Sequence, residues 1–200
     1  MPKPVSPAVS DERLLVVGDS LSAEYGLARG QGWVALMTET LHRAAPRAQV
    51  TNASISGETT AGGAQRLPAL LAAHHPTLVI IELGANDALR GLALTQTRQH
   101  LEDMMRACEL ASARVVLVGM RAPPNYGSRF TQEFAALFES MAHAHHAALV
   151  PFLLAGIADD ADAQRWFQPD GLHPVAAAQP TLMRNVWRVV APMLRPPVRP

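Results

Sequence analysis

Cysteine is all but missing from this chain: Cys108 is the only one among 200 residues. A lone thiol excludes an intrachain disulfide and a thiolate zinc cluster. Its place behind Met104 and Met105 in a helical apolar pattern marks it as core. An excess of charge is lacking too. Lysine plus arginine and aspartate plus glutamate each number 17, so the formal net charge is zero and no basic block stands out. That excludes a nucleic-acid partner held by a charged face. No apolar run reaches the roughly 20 residues of a membrane-spanning helix, so stable membrane insertion is excluded. Residues 1–13 hold three prolines and no apolar core of a signal peptide. As it stands the chain is cytoplasmic, and it is periplasmic if a leader once preceded it; the residues do not choose. Metal motifs are also wanting. His143, His145 and His146 crowd one segment, but none forms His-Glu-x-x-His, and a solvated helix face is the simpler reading.

What is present is a globular alternation. About half the residues are apolar, so a chain of this length buries a sizeable core in one domain. That domain is expected over 14–194, between a flexible N-terminal segment at 1–13 and a proline-rich flexible tail at 195–200. Short apolar runs predict strands at 14–18, 49–53, 78–83, 115–118 and 148–150. Between and after them, periodic segments predict helices at about 31–44, 60–73, 95–111, 128–146 and 175–194. The third helix carries Leu101, Met104, Met105 and Cys108 on one face, and the last carries Leu182, Val186 and Val190. Strand then helix, five times over, predicts an α/β fold: a parallel sheet with helices on both faces.

The chemistry-bearing residues follow the strands. Leu14-Leu15-Val16-Val17 runs into Gly18-Asp19-Ser20, which puts Ser20 at the carboxyl end of the first strand, where such sheets bind ligands. A serine hydroxyl is a weak nucleophile without a base, an orienting group for the base, and donors for a developing oxyanion. Asp170-Gly171-Leu172-His173 supplies the first two at a spacing that lets both side chains share one turn. The plainer alternative makes Asp170 a helix cap and His173 an incidental loop residue. Gly57, after the second strand, offers a backbone N–H before a helix start, or is an ordinary loop glycine. Asn86, after the third, offers a side-chain amide, or is a turn residue. Ser20 has Gly18 before it but Ser22 after it, so the Gly-x-Ser-x-Gly elbow of the α/β-hydrolases is missing.

Gly18-Asp19-Ser20-Leu21, Gly57, Gly84-x-Asn86-Asp87 and Asp170-x-x-His173 together resemble the four blocks of the SGNH (GDSL) hydrolases. The resemblance runs over 14–193. It is nearest to that family's bacterial branch of acyl-CoA thioesterases, arylesterases and lysophospholipases, through stretches such as Arg66-Leu67-Pro68 and Asn125-Tyr126-Gly127. It implies a flavodoxin-like three-layer α/β/α sandwich with a five-stranded sheet in the order 2-1-3-4-5. It further implies Ser20 as nucleophile, His173 as general acid/base and Asp170 as its orienting group. The N–H groups of Ser20 and Gly57 and the amide of Asn86 would form the oxyanion hole, with no metal or cofactor. The substrate would be a small acyl ester or thioester, bound by a monomer. Two positions depart from the pattern: Glu24 and Ala85 stand where glycine is usual. A carboxylate at Glu24, near Ser20, would either repel an anionic substrate such as an acyl-CoA or bind a cationic one. The loops at 89–94 and 120–126 are apolar and punctuated by glycine or proline, so Leu89, Arg90, Gly91, Leu92, Pro123 and Tyr126 are expected to form an acyl groove. A carbohydrate O-deacetylase of the same family would want aromatic platforms, and aromatics are only 5% of residues. A non-catalytic lipid-binding protein would have no need of all five site residues together.

Overall fold

The computed structural model describes residues 12–194. Strands β1 (Arg13–Gly18), β2 (Gln49–Asn52), β3 (Leu78–Glu82), β4 (Arg114–Val118) and β5 (Ala148–Val150) pair in parallel in the order β2-β1-β3-β4-β5. All five residues of β3 are buried, with no polar-apolar alternation, because helices cover the sheet on both sides. The helices are α1 (Trp33–Ala44), α2 (Thr60–His74), α3 (Ala85–Leu89), α4 (Leu94–Leu110), α5 (Ser128–Ala144) and α6 (Gln179–Val190). Helix α1 packs against α6, while α4 packs against both α2 and α5. Among the described residues no helix is long and apolar enough to cross a membrane.

The sheet order and fold class expected from the chain are those observed, with strand ends within a residue of the expected ones. The differences have local causes. The expected helix at 175–194 is three pieces: a 3-10 turn at Ala176–Ala178, then α6, then a 3-10 turn at Ala191–Met193. Pro180 belongs to the first turn of α6, where a missing N–H is harmless, and Pro192 lies in the closing turn, where helical bonding stops. Helix α3 was not anticipated, because five residues are too few to show a period. The segments expected to be flexible, 1–13 and 195–200, lie outside the described residues except for Glu12 and Arg13. Those two belong to the folded body: Arg13 opens β1, and Glu12 is buried.

Glu12 also fastens the amino end of the sheet. Both its oxygens accept from Arg114 Nη2, at 2.9 and 2.8 Å, and Arg114 in turn reaches the carbonyl of Met193. One guanidinium thereby ties together the entry to β1, strand β4 and the 3-10 turn at Ala191–Met193. Removing the cation from a buried carboxylate typically costs about 3–5 kcal/mol. Arg114→Met should therefore lower the urea-denaturation free energy by about that amount. It should leave kcat unchanged, since the ligand end of the sheet is the opposite one. Wild-type stability in the mutant would remove this latch from the account.

Candidate active site

Strand β1 ends at Gly18, which pairs with Glu82 at the end of β3. The two strands come so close here that a Cβ on Gly18 would lie 2.8 Å from Glu82 Oε2 and 2.7 Å from Ser22 Oγ. Only glycine fits. The chain then turns sharply: the Asp19 carbonyl accepts from Ser22 N and Ala23 N at 3.2 and 2.9 Å, and Asp19 Oδ1 accepts from Leu21 N at 3.0 Å. Ser20 is left half-buried at the tip.

His173 Nε2 lies 2.8 Å from Ser20 Oγ, and His173 Nδ1 lies 2.7 Å from Asp170 Oδ2. A carboxylate only accepts, so Nδ1 carries the hydrogen and Nε2 is free to accept from the serine hydroxyl. Asp170 Oδ1 accepts from the backbone N–H groups of His173 and Leu172 at 3.0 and 2.9 Å. These bonds, that of the His173 backbone foremost, with the imidazole contact added, hold the Asp170 carboxyl down at about 2. Phe167 and Pro174 form an antiparallel bridge across the base of this turn, and Gln168 Nε2 ties it to the carbonyl of Tyr25 at 3.0 Å. The Tyr25 ring lies over the imidazole, 4.4 Å between centroids.

The loop after β2 is fastened from below. Ile55 N donates to the Gly18 carbonyl at 3.0 Å, and Glu58 N to the Ile55 carbonyl at 3.1 Å. Gly57 at its tip has φ +79°, a left-handed conformation that side chains rarely adopt. Asn86 and Asp87, consecutive residues of α3, clamp the same loop. Asn86 Nδ2 donates to the Glu58 carbonyl at 3.0 Å and to Asp19 Oδ2 at 3.0 Å. Asp87 Oδ2 accepts from Thr60 N at 2.9 Å, and its Oδ1 takes the hydroxyls of Thr60 and Thr97. Among the described residues, the backbone N–H groups of Ser20 and Gly57 donate to no protein acceptor. Ser20, Gly57, Asn86 and His173 all line one cavity of about 560 Å³, with Asp170 behind the histidine.

Of the six residues expected to form an acyl groove, two border this cavity. Leu89 and Pro123 line the cavity; Arg90, Gly91, Leu92 and Tyr126 do not. Arg90 is occupied instead in donating to the Gly57 carbonyl at 2.7 Å, and Tyr126 leans towards Phe130. Met120, Arg121 and Ala122 of the expected 120–126 loop line it too, and the lining residues that were not expected include Tyr25, Phe134, Phe152, Leu154, Phe167 and Leu172. Phe152 and Leu154 directly follow β5, so the rule that located Ser20 after β1 would have found them. Glu24 also needs correcting. It is not part of the lining; its carboxylate accepts from Gly30 N at 3.0 Å and Gly32 N at 2.8 Å. Its φ of +60° accounts for a position suited to glycine. Ala85 opens α3 and lines the cavity.

A serine, a histidine and an aspartate linked in series at the ligand end of a doubly wound sheet define the class of serine hydrolases outside the nucleophile-elbow group. The chain belongs to the GDSL-like Lipase/Acylhydrolase family, whose sequence pattern matches residues 16–179. It is 48% identical over 183 residues to Esterase TesA of Pseudomonas aeruginosa, covering 92% of this chain and 90% of that protein. It is 36% identical over 187 residues to Thioesterase 1/protease 1/lysophospholipase L1 of Escherichia coli K12, covering 94% and 87%. The crystal structure of the psychrotrophic esterase EstA from Pseudoalteromonas sp., inhibited by monoethylphosphonate, superposes with a TM-score of 0.85. That pair is 37% identical, over 92% of this chain and 99% of the other.

Beneath the serine lie two buried carboxyls, Asp19 and Glu82. Glu82 Oε2 accepts from the Ser22 hydroxyl at 2.7 Å and from Asp19 N at 3.3 Å. Burial, and then the neighbouring Asp19 charge, push Glu82 well above the carboxylate range. Burial likewise lifts Asp19 to about 6, against the bonds from Leu21 N, Glu82 and Asn86 and the nearby imidazole. An unfolded chain releases these protons near pH 4, while the folded one keeps them. Stability from this pair is therefore full below about pH 4 and declines as pH rises through about 6. The thermal midpoint should fall over that interval, and Glu82→Gln should flatten the fall. Parallel pH curves for the two proteins would argue against the pair as its source.

Proposed function

We propose that this protein hydrolyses carboxylic esters and thioesters of apolar acyl chains through an acyl-enzyme on Ser20. The observation that carries the reading is the unbroken chain from Ser20 Oγ to His173 and on to Asp170, at 2.8 and 2.7 Å, opening onto a cavity whose lining includes Leu89, Met120, Phe134, Phe152 and Leu154 beside Arg121 and Asp159. His173 takes the hydroxyl proton as Ser20 Oγ bonds to the acyl carbon. The tetrahedral oxyanion is met by the N–H groups of Ser20 and Gly57 and by the Asn86 amide. His173 then gives the proton to the departing alkoxide or thiolate. Water repeats the sequence on the acyl-serine and releases the acid. Asp170, anionic down to about 2, holds the imidazole in the working tautomer throughout.

Two further facts support an acyl substrate. The relatives include an esterase and a thioesterase/lysophospholipase by name, and the related EstA is inhibited by a phosphonate, a tetrahedral phosphorus mimic of such an intermediate. The cavity does hold aromatic rings, contrary to the expectation from composition. Tyr25, Phe134, Phe152 and Phe167 are all in the lining, so a scarcity of aromatics no longer speaks against an O-deacetylase; the acyl reading is favoured by the names of the relatives.

Ser20→Ala should lower kcat by at least about 10³-fold with folding intact, because the oxyanion donors and binding alone then remain. An organophosphorus reagent should label Ser20, and labelling that survives in Ser20→Ala would falsify the assignment. In the wild type, kcat/KM should rise with acyl length until the cavity is filled, by up to about 0.8 kcal/mol per buried methylene. Assays with p-nitrophenyl esters and acyl-CoAs from two to twelve carbons read this directly. A flat profile would mean that the acyl chain lies elsewhere.

A further inference from the structure

The acid of the triad stands in the open: the Asp170 side chain is 37% exposed, against 19% for His173. Water weakens the field of such a carboxylate at the imidazole. The edge of the imidazole faces Asp170, and one of its faces is covered by Tyr25. The two ring centroids are 4.4 Å apart, with the planes tilted by 40°. That lies inside the roughly 6 Å over which an aromatic face attracts a cation. Tyr25 is itself half exposed, so no packed core holds its ring there. Its backbone does. The Tyr25 N–H donates to the Ser20 carbonyl at 3.3 Å, and the Tyr25 carbonyl accepts from Gln168 Nε2 at 3.0 Å. Gln168 belongs to the histidine turn, where its N–H donates to the His173 carbonyl at 2.7 Å. Position 26 carries no side chain, and a Cβ there would lie 2.1 Å from Gln168 Oε1. Tyr25 is thus bonded to the nucleophile turn by one end and to the histidine turn by the other, with its ring over the base.

We propose that Tyr25 is a positioning residue that acts through His173: its ring face stabilises the imidazolium that exists only while a proton is in transit. This rests on the acyl-enzyme reading above, in which His173 is the base. In the resting triad Nε2 accepts the serine hydrogen bond and the imidazole gains little from the negative face of an aromatic ring. When Ser20 Oγ gives its proton to Nε2, the imidazole carries a full positive charge and the attraction to the Tyr25 face appears. Deacylation makes the same cation, with water as the proton donor. In both steps the gain arises in the transition state and not in the ground state, so it raises kcat rather than binding. Asp170 meets that charge at the edge of the imidazole, through Nδ1, and Tyr25 meets it on the face. Tyr25 exchanges no proton and forms no bond to substrate in this scheme.

The test varies the face while keeping the shape. Tyr25 is replaced by leucine, by phenylalanine, and by monofluoro-, difluoro- and pentafluorophenylalanine, which drain the negative face step by step. The substrate is ethyl thioacetate, which has no ring to stack on position 25. Tyr25→Leu, with apolar bulk but no π face, should lower kcat about 3- to 30-fold, the range of a partly desolvated cation–π contact. Tyr25→Phe should restore kcat to within about threefold of wild type. Along the fluorinated series kcat should fall again, reaching about the leucine value at pentafluorophenylalanine, while KM stays within about twofold. Equal kcat across the fluorinated series, or a change confined to KM, overturns the proposal. So does Tyr25→Leu as fast as wild type, and so does Tyr25→Phe slowed by more than about tenfold, which would assign the effect to the hydroxyl. The fluorinated rings differ little in size, so a folding defect in Tyr25→Leu leaves the series as the deciding measurement. Ser20→Ala separates the two readings. If it still turns over the thioester, the acyl-enzyme falls and the proposal with it; a flat series beside an inactive Ser20→Ala removes the proposal alone.

Discussion

The pairing of Gly18 with Glu82, at the last register position between β1 and β3, brings together two loops that the sequence separates by more than sixty residues. Parallel pairing in a sheet whose order reverses here sends the two chains out side by side and then apart. Ser20 leaves along one and Asn86 along the other. The contact is bare backbone on one side, because any side chain at position 18 would collide with Glu82 and Ser22. From that meeting point the loop after β2 is hung by the Gly18 carbonyl and clamped by Asn86 and Asp87. Three separate stretches of chain thus share one fixed reference, and it is buried in the sheet.

The same meeting point carries an electrostatic burden. Two carboxyls without a cationic partner in a dry interior oppose folding above their raised pKa values, and an apolar pair would avoid that. Their bonds run outward to the serine turn, through Leu21 N, Asp19 N and the Ser22 hydroxyl. Local polarity in the core is thereby spent on the shape of one turn, which is where sequences commonly depart from the rules for a stable interior.

Much of this was legible in the chain because it rests on short-range signals. The doubly buried strands read as continuous apolar runs, and Asp170 with His173 read as one turn, since three residues of spacing fix their separation. Ser20, Gly57 and Asn86 each follow a strand, so the order of elements was enough to gather them. The cavity wall was another matter. Phe134 comes from the side of α5, Tyr25 from the loop after the nucleophile, and Phe167 from the approach to the histidine turn. No periodicity or spacing relates these positions; only the packed tertiary structure does. The bond from Arg90 to the Gly57 carbonyl was hidden for a similar reason, since the two are distant in sequence. Asp19 and Glu82 were invisible as a pair, because a carboxylate at the end of an apolar run shows nothing of what lies across the sheet.

The histidine turn stands apart from the rest of the site in how it is attached. Ser20 and Asn86 follow directly on strands of the sheet, whereas Asp170 and His173 ride on the connection between β5 and α6, which includes only short 3-10 turns before α6. One antiparallel bridge closes their turn, and Gln168 links it to the nucleophile loop. A segment held this way opens at a lower free energy than the sheet beneath it. Competence for chemistry and possession of the fold are therefore separate equilibria in this protein. On warming or in mild denaturant the first should be lost before the second, and should return while the core stays folded.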